Sequence, residues 1–126
     1  MKKLFTYWMP VILWAGLIFY LSNKPNLKSP YEYDFFLRKI AHMVEFAILN
    51  IFIWRALMKR GLSNKKALIL GGILAAFYAA SDEYHQSFIL GRSGNLRDVG
   101  IDSLGILISG GVLWLVKKPM RFVGKL

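Results

Sequence analysis

Four long apolar segments, separated by shorter polar stretches, dominate the hydrophobic pattern of the chain. They cover about residues 4–21, 35–58, 67–89 and 99–116. A helix that crosses the hydrocarbon core of a bilayer needs about 20 mostly apolar residues. The first segment has neither a charge nor the polar stripe of a helix in a soluble bundle. The pattern therefore predicts an all-α, four-span transmembrane helix bundle, with residues 1–126 forming a single domain.

The composition of the chain also departs from that of an average soluble domain. Hydrophobic residues make up 56% and charged residues 19%, against about 45–50% and about 25% in soluble domains. Cysteine is absent, which excludes disulfide frameworks, cysteine-ligated metal sites and cysteine nucleophiles. The first apolar segment is longer than the core of a signal peptide and is followed by no A-x-A cleavage site, so we expect a retained span.

The net charge of +10 comes from basic residues that lie mostly between the apolar segments. They cluster at the N-terminus, in the second loop at about 59–66 and in the C-terminal tail. Because basic residues mark the cytoplasmic ends of spans, we expect both termini in the cytoplasm. The chain is thus predicted to be a multi-pass protein of the bacterial cytoplasmic (inner) membrane. Its expected partner is the lipid bilayer, and no motif indicates nucleic-acid binding.

Ionisable residues gather near the predicted outer ends of three spans. Charged groups inside a membrane cost about 2.5–3.5 kcal/mol each at the helix centre and are candidates for function. At 100° per residue, His42 and Glu45 share a helix face, and a second stripe contains Asp98, Asp102 and Gly105 with Ser109. Short loops between spans would bring these faces to one outward-facing layer. The candidate catalytic residues are His42, Glu45, Asp82, Glu83, His85, Gln86, Asp98 and Asp102.

Three interpretations of this layer remain open. The first is a structural network of buried polar groups without a ligand. The second is a divalent-metal or acid–base site, since mixed imidazole and carboxylate donors suit zinc, manganese or iron. His42 with Glu45, and Asp82 with His85, each place two donors on one helix face by their three-residue spacing. The candidate metal ligands are therefore His42, Glu45, Asp82 and His85. The third is a pocket for an anionic lipid headgroup or a lipid-linked envelope precursor, with Arg38, Arg92 and Arg97 as the anion-binding residues.

Small residues recur at helical spacing in the last two spans. Gly71, Ala75 and Ala79 follow one another at intervals of four residues in the third span. Gly105 and Ser109 do the same in the fourth. Small side chains let the backbones of membrane helices approach closely, so we expect these positions to line helix–helix contacts.

Four stretches of the sequence carry a family resemblance. They are KIAHMVEF at 39–46, SDEYHQSF at 81–88, GRSG at 91–94 and RDVGIDSLG at 97–105. In this order they resemble the VanZ-like family of small bacterial membrane proteins, over about residues 35–110. The family takes its name from a protein that confers low-level resistance to teicoplanin, a glycopeptide antibiotic that binds cell-wall precursors. The resemblance therefore implies a membrane protein with a role at the cell envelope, and it implies no particular reaction.

Overall fold

The computed structural model describes residues 2–22, 32–88 and 96–124. These residues form four α-helices and no strand, so the all-α prediction is confirmed. The helices are α1 (Lys2–Ser22), α2 (Glu32–Lys59), α3 (Asn64–Gln86) and α4 (Leu96–Gly124). Each predicted segment corresponds to one helix. The third helix begins and ends about three residues earlier than its apolar segment, because capping rather than hydropathy determines where it starts.

A tight turn connects α2 to α3. Gly61 adopts a left-handed conformation with φ of 99°, which glycine reaches without steric cost. Leu62 N donates to Leu57 O and Gly61 N donates to Met58 O, at 3.3 and 3.1 Å. This is the pair of bonds of a Schellman motif, which satisfies the last carbonyls of a helix. Ser63 then caps α3 by accepting a hydrogen bond from Lys66 N. Because the connection is short and α2 packs on α3, the two helices run antiparallel.

Helix α2 lies at the centre of the bundle, where it packs against α1, α3 and α4. Its buried side chains recur every three or four residues and include Phe46, Leu49 and Ile53. Helix α3 also packs against α4, and α1 contacts mainly α2. Hydrogen bonds that attach α1 to its neighbours include those from Trp14 Nε1 to Glu45 O at 2.8 Å and from Tyr78 Oη to Ala15 O at 2.5 Å.

Small residues line the inner face of α3, as the sequence predicted. Ala67, Ala75 and Ala79 are fully buried. A Cβ atom added at Gly71 would lie 3.5 Å from Ile53 Cγ2 of α2. The lack of side-chain bulk at these positions lets α3 pack closely on its neighbours. The predicted stripe on α4 also faces inwards, since Asp102, Gly105 and Ser109 are all buried.

Two stretches of the described helices are long and apolar enough to cross a membrane, Lys39–Lys59 and Val99–Val116. A third, Phe5–Leu21, is a shorter apolar helix. Helix α3 is not among them, because its charge-free part ends at Ser81, before two acidic residues. Large apolar side chains such as Leu13, Phe77 and Leu107 are 65%, 75% and 70% exposed. Apolar helices with an apolar exterior indicate a membrane protein.

Candidate functional site

The centre of the polar layer is a pair formed by His42 of α2 and Asp102 of α4. The imidazole Nδ1 lies 3.3 Å from Asp102 Oδ1. The Asp102 side chain is 1% exposed and that of His42 is 19% exposed. His42 lies on the same face of α2 as the buried Phe46, and its ring contacts the Phe46 ring with centroids 6.3 Å apart. The core packing of α2 therefore turns His42 towards α4.

Glu83 of α3 joins this pair. One ligand atom from each of His42, Glu83 and Asp102 lies within 4.8 Å of the other two. Glu83 is only 4% exposed. Its position follows from α3 itself, since Glu83 continues the series of buried small residues that includes Ala75 and Ala79 at four-residue intervals. We call His42, Glu83 and Asp102 the three-helix cluster, since each comes from a different helix.

A close backbone contact holds the two helices of the pair together. Gly105 of α4 lies against Met43 of α2, where an added Cβ would overlap the Met43 carbonyl oxygen and lie 2.9 Å from the carbonyl carbon. Met43 is adjacent to His42, and Gly105 follows Asp102 by less than one helical turn. The contact between these two backbones therefore determines how far apart the His42 and Asp102 side chains lie.

The other candidate residues with described side chains lie near the three-helix cluster without belonging to it. Glu45 is half-buried, and its carbonyl oxygen accepts the Trp14 hydrogen bond. Asp82 is buried beside Glu83 in α3. The His85 ring stacks on Phe19 of α1, with centroids 4.7 Å apart. Of the metal ligands predicted from the sequence, only His42 belongs to the cluster.

Five predicted residues have side chains outside the described part of the structure. They are Gln86, Asp98, Arg38, Arg92 and Arg97. The anion-binding set predicted from the sequence falls entirely within this group, so it stays a prediction. Arg92 and Arg97 belong to the connection between α3 and α4 and to the start of α4, and Arg38 belongs to α2, four residues before His42.

A further buried polar group, which is not predicted from the sequence, lies deeper in the bundle. Asn50 of α2 is 1% exposed. Its Nδ2 donates to Ser109 Oγ at 2.9 Å and to Ile106 O at 3.1 Å. Asn50 follows His42 and Phe46 at four-residue intervals, so it shares their face. An amide on the buried face of an apolar helix is the signal that would have identified it.

Glu83 is not among the predicted metal ligands, because spacing favours Asp82 and His85, which share a face of the helix. The more informative signal was the row of small residues, since the face that packs closely on its neighbours is also the face that reaches the bundle interior. The resulting site brings one imidazole and two buried carboxylates together. Such a group can bind a cation, hold a proton or orient a polar headgroup.

A family model described as VanZ/LLP1 matches residues 5–117. No curated protein and no solved structure matches the chain. The matched range contains the whole three-helix cluster.

Proposed function

The chain belongs to the VanZ/LLP1 family, and from this premise we propose that it is a four-span protein of the bacterial cytoplasmic membrane that acts at the cell envelope. We propose further that it binds the headgroup of an anionic lipid or a lipid-linked envelope precursor. The observation that carries the proposal is the convergence of His42, Glu83 and Asp102 inside an apolar bundle. The expected physiological consequence is altered susceptibility to a glycopeptide such as teicoplanin.

The apolar exterior of all four helices supports four spans. Leu13 of α1, Leu37 of α2, Phe77 of α3 and Leu107 of α4 are each more than half exposed. Soluble proteins rarely present a continuous apolar surface of this kind, whereas lipid chains solvate it without cost. Helix α3 fits this arrangement despite its polar end, since intramembrane ionisable groups usually face the bundle interior.

The basic residues at the α2–α3 turn support an orientation. Lys59, Arg60, Lys65 and Lys66 surround this turn and are exposed. The positive-inside rule favours the cytoplasm for that end of the bundle. His42 lies about 26 Å along α2 from Lys59, at a rise of about 1.5 Å per residue. In a hydrocarbon core about 30 Å thick, the three-helix cluster is then close to the outer surface.

A cluster at that depth suits a lipid headgroup. A molecule anchored in the outer leaflet presents its phosphate or first sugar at the boundary between hydrocarbon and water, where the cluster opens through the partly exposed His42. Arginines bind phosphate oxygens with two parallel hydrogen bonds. In this proposal Arg38, Arg92 and Arg97 bind the anionic group, and the cluster binds the adjacent polar atoms.

The His42–Asp102 pair favours a second candidate function, an acid–base enzyme acting on a lipid-linked headgroup. A carboxylate 3.3 Å from an imidazole nitrogen orients the ring and stabilises its protonated form. The opposite nitrogen is then available to remove a proton from water or from a headgroup hydroxyl. Turnover of a purified lipid-linked substrate distinguishes this function from binding alone.

The topology can be tested by cysteine labelling, because the chain has no native cysteine. We expect a cysteine at Asn95, between α3 and α4, to react with an impermeant thiol reagent added outside the cell. A cysteine replacing the exposed Arg60 in the α2–α3 turn is the matched control and should react only after permeabilisation. The reverse pattern would place the cluster on the cytoplasmic side and contradict the proposal.

The function can be tested by expressing the chain in a glycopeptide-susceptible bacterium and measuring teicoplanin susceptibility. We expect wild type to shift it and Asp102→Asn to abolish the shift at normal membrane abundance. Ser81→Ala, an exposed position in α3, is the control and should behave as wild type. Loss of the shift only in proportion to loss of folded protein would indicate a structural network, and no shift for wild type would remove the glycopeptide role.

A further inference from the structure

We propose that the three-helix cluster binds one divalent first-row metal ion, such as zinc, and leaves a coordination position open for an oxygen of the headgroup or a water molecule. The inference deepens the proposed function and rests on it in one respect, because the proposed function identifies the molecule that would fill the open position. The cluster differs from the metal set predicted by spacing, because two of its three residues, Glu83 and Asp102, come from outside that set.

The donor atoms have the right chemistry. The cluster offers one imidazole nitrogen and two carboxylate oxygens. Mixed nitrogen and oxygen donors suit zinc, manganese and iron(II) better than the softer copper(I), which prefers sulfur, or calcium, which prefers oxygen alone. Three protein ligands from separate elements, with a further position free, are typical of metal sites that act on a bound molecule.

The spacing of the donors fits a metal ion between them. Zinc–nitrogen and zinc–oxygen bonds are about 2.0–2.2 Å long, so two ligands at a tetrahedral angle lie about 3.3–3.5 Å apart. The His42 Nδ1 to Asp102 Oδ1 distance of 3.3 Å matches this edge. All three ligand atoms lie within 4.8 Å of one another, and the Glu83 side chain has rotatable bonds through which its oxygen can adjust to a bound ion.

Charge and burial favour a cation at this position. Asp102 and Glu83 are 1% and 4% exposed, so their carboxylates converge where water does not screen their repulsion. Two like charges in a low-dielectric site raise each other's free energy, and a doubly charged ion placed between them reverses the sign of that interaction. The imidazole of His42 completes the coordination without adding charge when it is neutral.

The cluster is held by rigid elements, which favours a selective site. Its residues belong to three helices, with Glu83 in the last turn of α3, and the Gly105–Met43 backbone contact limits the separation of α2 and α4. A fourth ligand reaches the ion from the side of the cluster where His42 is partly exposed. An oxygen of a phosphate headgroup is the ligand that a membrane-embedded divalent ion near the outer surface would meet.

Metal stoichiometry on purified protein tests the inference. The full chain is purified in detergent, treated with a chelator, incubated with zinc alone, freed of unbound metal and analysed by mass spectrometry. We expect about one zinc per chain for wild type. We expect at least a tenfold loss of zinc affinity for each of His42→Gln, Glu83→Gln and Asp102→Asn, with little change in side-chain volume.

The residues that spacing predicted as ligands, but that lie outside the cluster, are matched controls. They are Glu45, Asp82 and His85. We expect Glu45→Gln, Asp82→Asn and His85→Gln to keep wild-type zinc stoichiometry. The contrast between Asp82→Asn and Glu83→Gln is the sharpest, because the two acids are adjacent in α3 and both are buried. Zinc loss at Asp82 with retention at Glu83 would overturn the assignment.

Thermal unfolding distinguishes variants that lose the metal from variants that fail to fold. Zinc should raise the unfolding temperature of the chelator-treated wild type, since a ligand that binds only the folded state stabilises it, and should have no such effect on Asp102→Asn. If wild-type protein binds no zinc, manganese or iron(II) and gains no stability from them, the metal site is ruled out, but the proposed envelope function is not. A protein that binds no metal but still shifts teicoplanin susceptibility supports the proposed function and contradicts the metal site. A protein that binds zinc but has no envelope effect supports the metal site and contradicts the proposed function.

Discussion

Gly105 of α4 packs directly on the backbone of Met43 of α2, so closely that a Cβ at Gly105 would overlap the Met43 carbonyl oxygen. The two residues are neighbours of Asp102 and His42 in sequence, and the Nδ1 to Oδ1 distance of that pair is 3.3 Å. A glycine less than one helical turn from Asp102 thus limits how far apart α2 and α4 lie at the candidate site. The same contact explains why the glycine at this position belongs to the recurring small-residue stripe of α4.

Gly105→Ala is expected to destabilise the fold and open the His42–Asp102 pair. Overpacking a close contact costs about 1–3 kcal/mol, and the upper end is expected here because the obstacle is backbone. Gly111→Ala, at a position of α4 with nothing within 4 Å of the added Cβ, is the control and should be neutral or slightly stabilising. Thermal unfolding in detergent gives the comparison, and equal stability of the two variants would contradict the close contact.

Asn50→Ala is expected to lower stability through loss of its bonds to Ser109 and Ile106. Interhelical hydrogen bonds in membrane proteins contribute about 0.6 kcal/mol on average and up to about 1.7 kcal/mol. Ser109→Ala should cost less, because Asn50 Nδ2 keeps its hydrogen bond to Ile106 O when the Ser109 hydroxyl is removed.

A double-mutant cycle of Asn50→Ala and Ser109→Ala measures the coupling between the two side chains. We expect a coupling free energy of about 0.5–1.5 kcal/mol, as for side chains in direct contact. Ser81→Ala paired with Asn50→Ala is the control, since Ser81 bonds only to Phe77 O of its own helix among the described partners. Additive effects at Asn50 and Ser109 would speak against the buried bond.

Gly61→Ala is expected to destabilise the α2–α3 turn by about 1–2 kcal/mol, because Gly61 has φ of 99° and a Cβ is disfavoured in the left-handed region. No atom lies within 4 Å of an added Cβ, so the cost is conformational rather than steric. Gly61→Asn should cost less than Gly61→Ala, since asparagine tolerates this conformation. Equal effects of the two substitutions in thermal unfolding would contradict this cause.

Tyr78→Phe is expected to loosen α1 while leaving the three-helix cluster in place. It removes the hydrogen bond from the phenol to Ala15 O, worth about 0.5–1.5 kcal/mol, and keeps the ring contact with Phe46. Faster proteolysis within α1, with unchanged zinc stoichiometry, is the expected result. Tyr84→Phe is the matched control because Tyr84 is exposed, and an equal effect there would argue against the interhelical bond.

Hydrophobic periodicity predicted the helices well and the site only in part. The four apolar segments needed only local information, since each is long enough to identify its own helix. Hydropathy alone places the start of α3 about three residues too late, because the Ser63 cap and the Gly61 turn determine where the helix begins. The short connections predict that ionisable residues of α2, α3 and α4 gather in one layer. In the structure, ligand atoms of His42, Glu83 and Asp102 from these three helices lie within 4.8 Å of one another.

The choice of partner residues required the packed structure. Spacing grouped Asp82 with His85 on one face of α3, and both are near the site. The structure instead brings Glu83 to His42 and Asp102, while the His85 ring packs on Phe19. Helical periodicity tells which residues share a face, but the rotation of the helix about its own axis depends on which face its neighbours accept.

By itself, the sequence determined the all-helical class, the family and the presence of ionisable groups at one end of the bundle, because these depend on composition, on local periodicity and on short motifs. Only the tertiary structure decided that Glu83 joins His42 and Asp102 and that Asn50 is bound to α4. The physical reason is that small residues on α3 and Gly105 on α4 determine how closely and at which rotation the helices pack. The separation and relative rotation of two packed helices depend on both of them, so the sequence of one helix alone does not determine them.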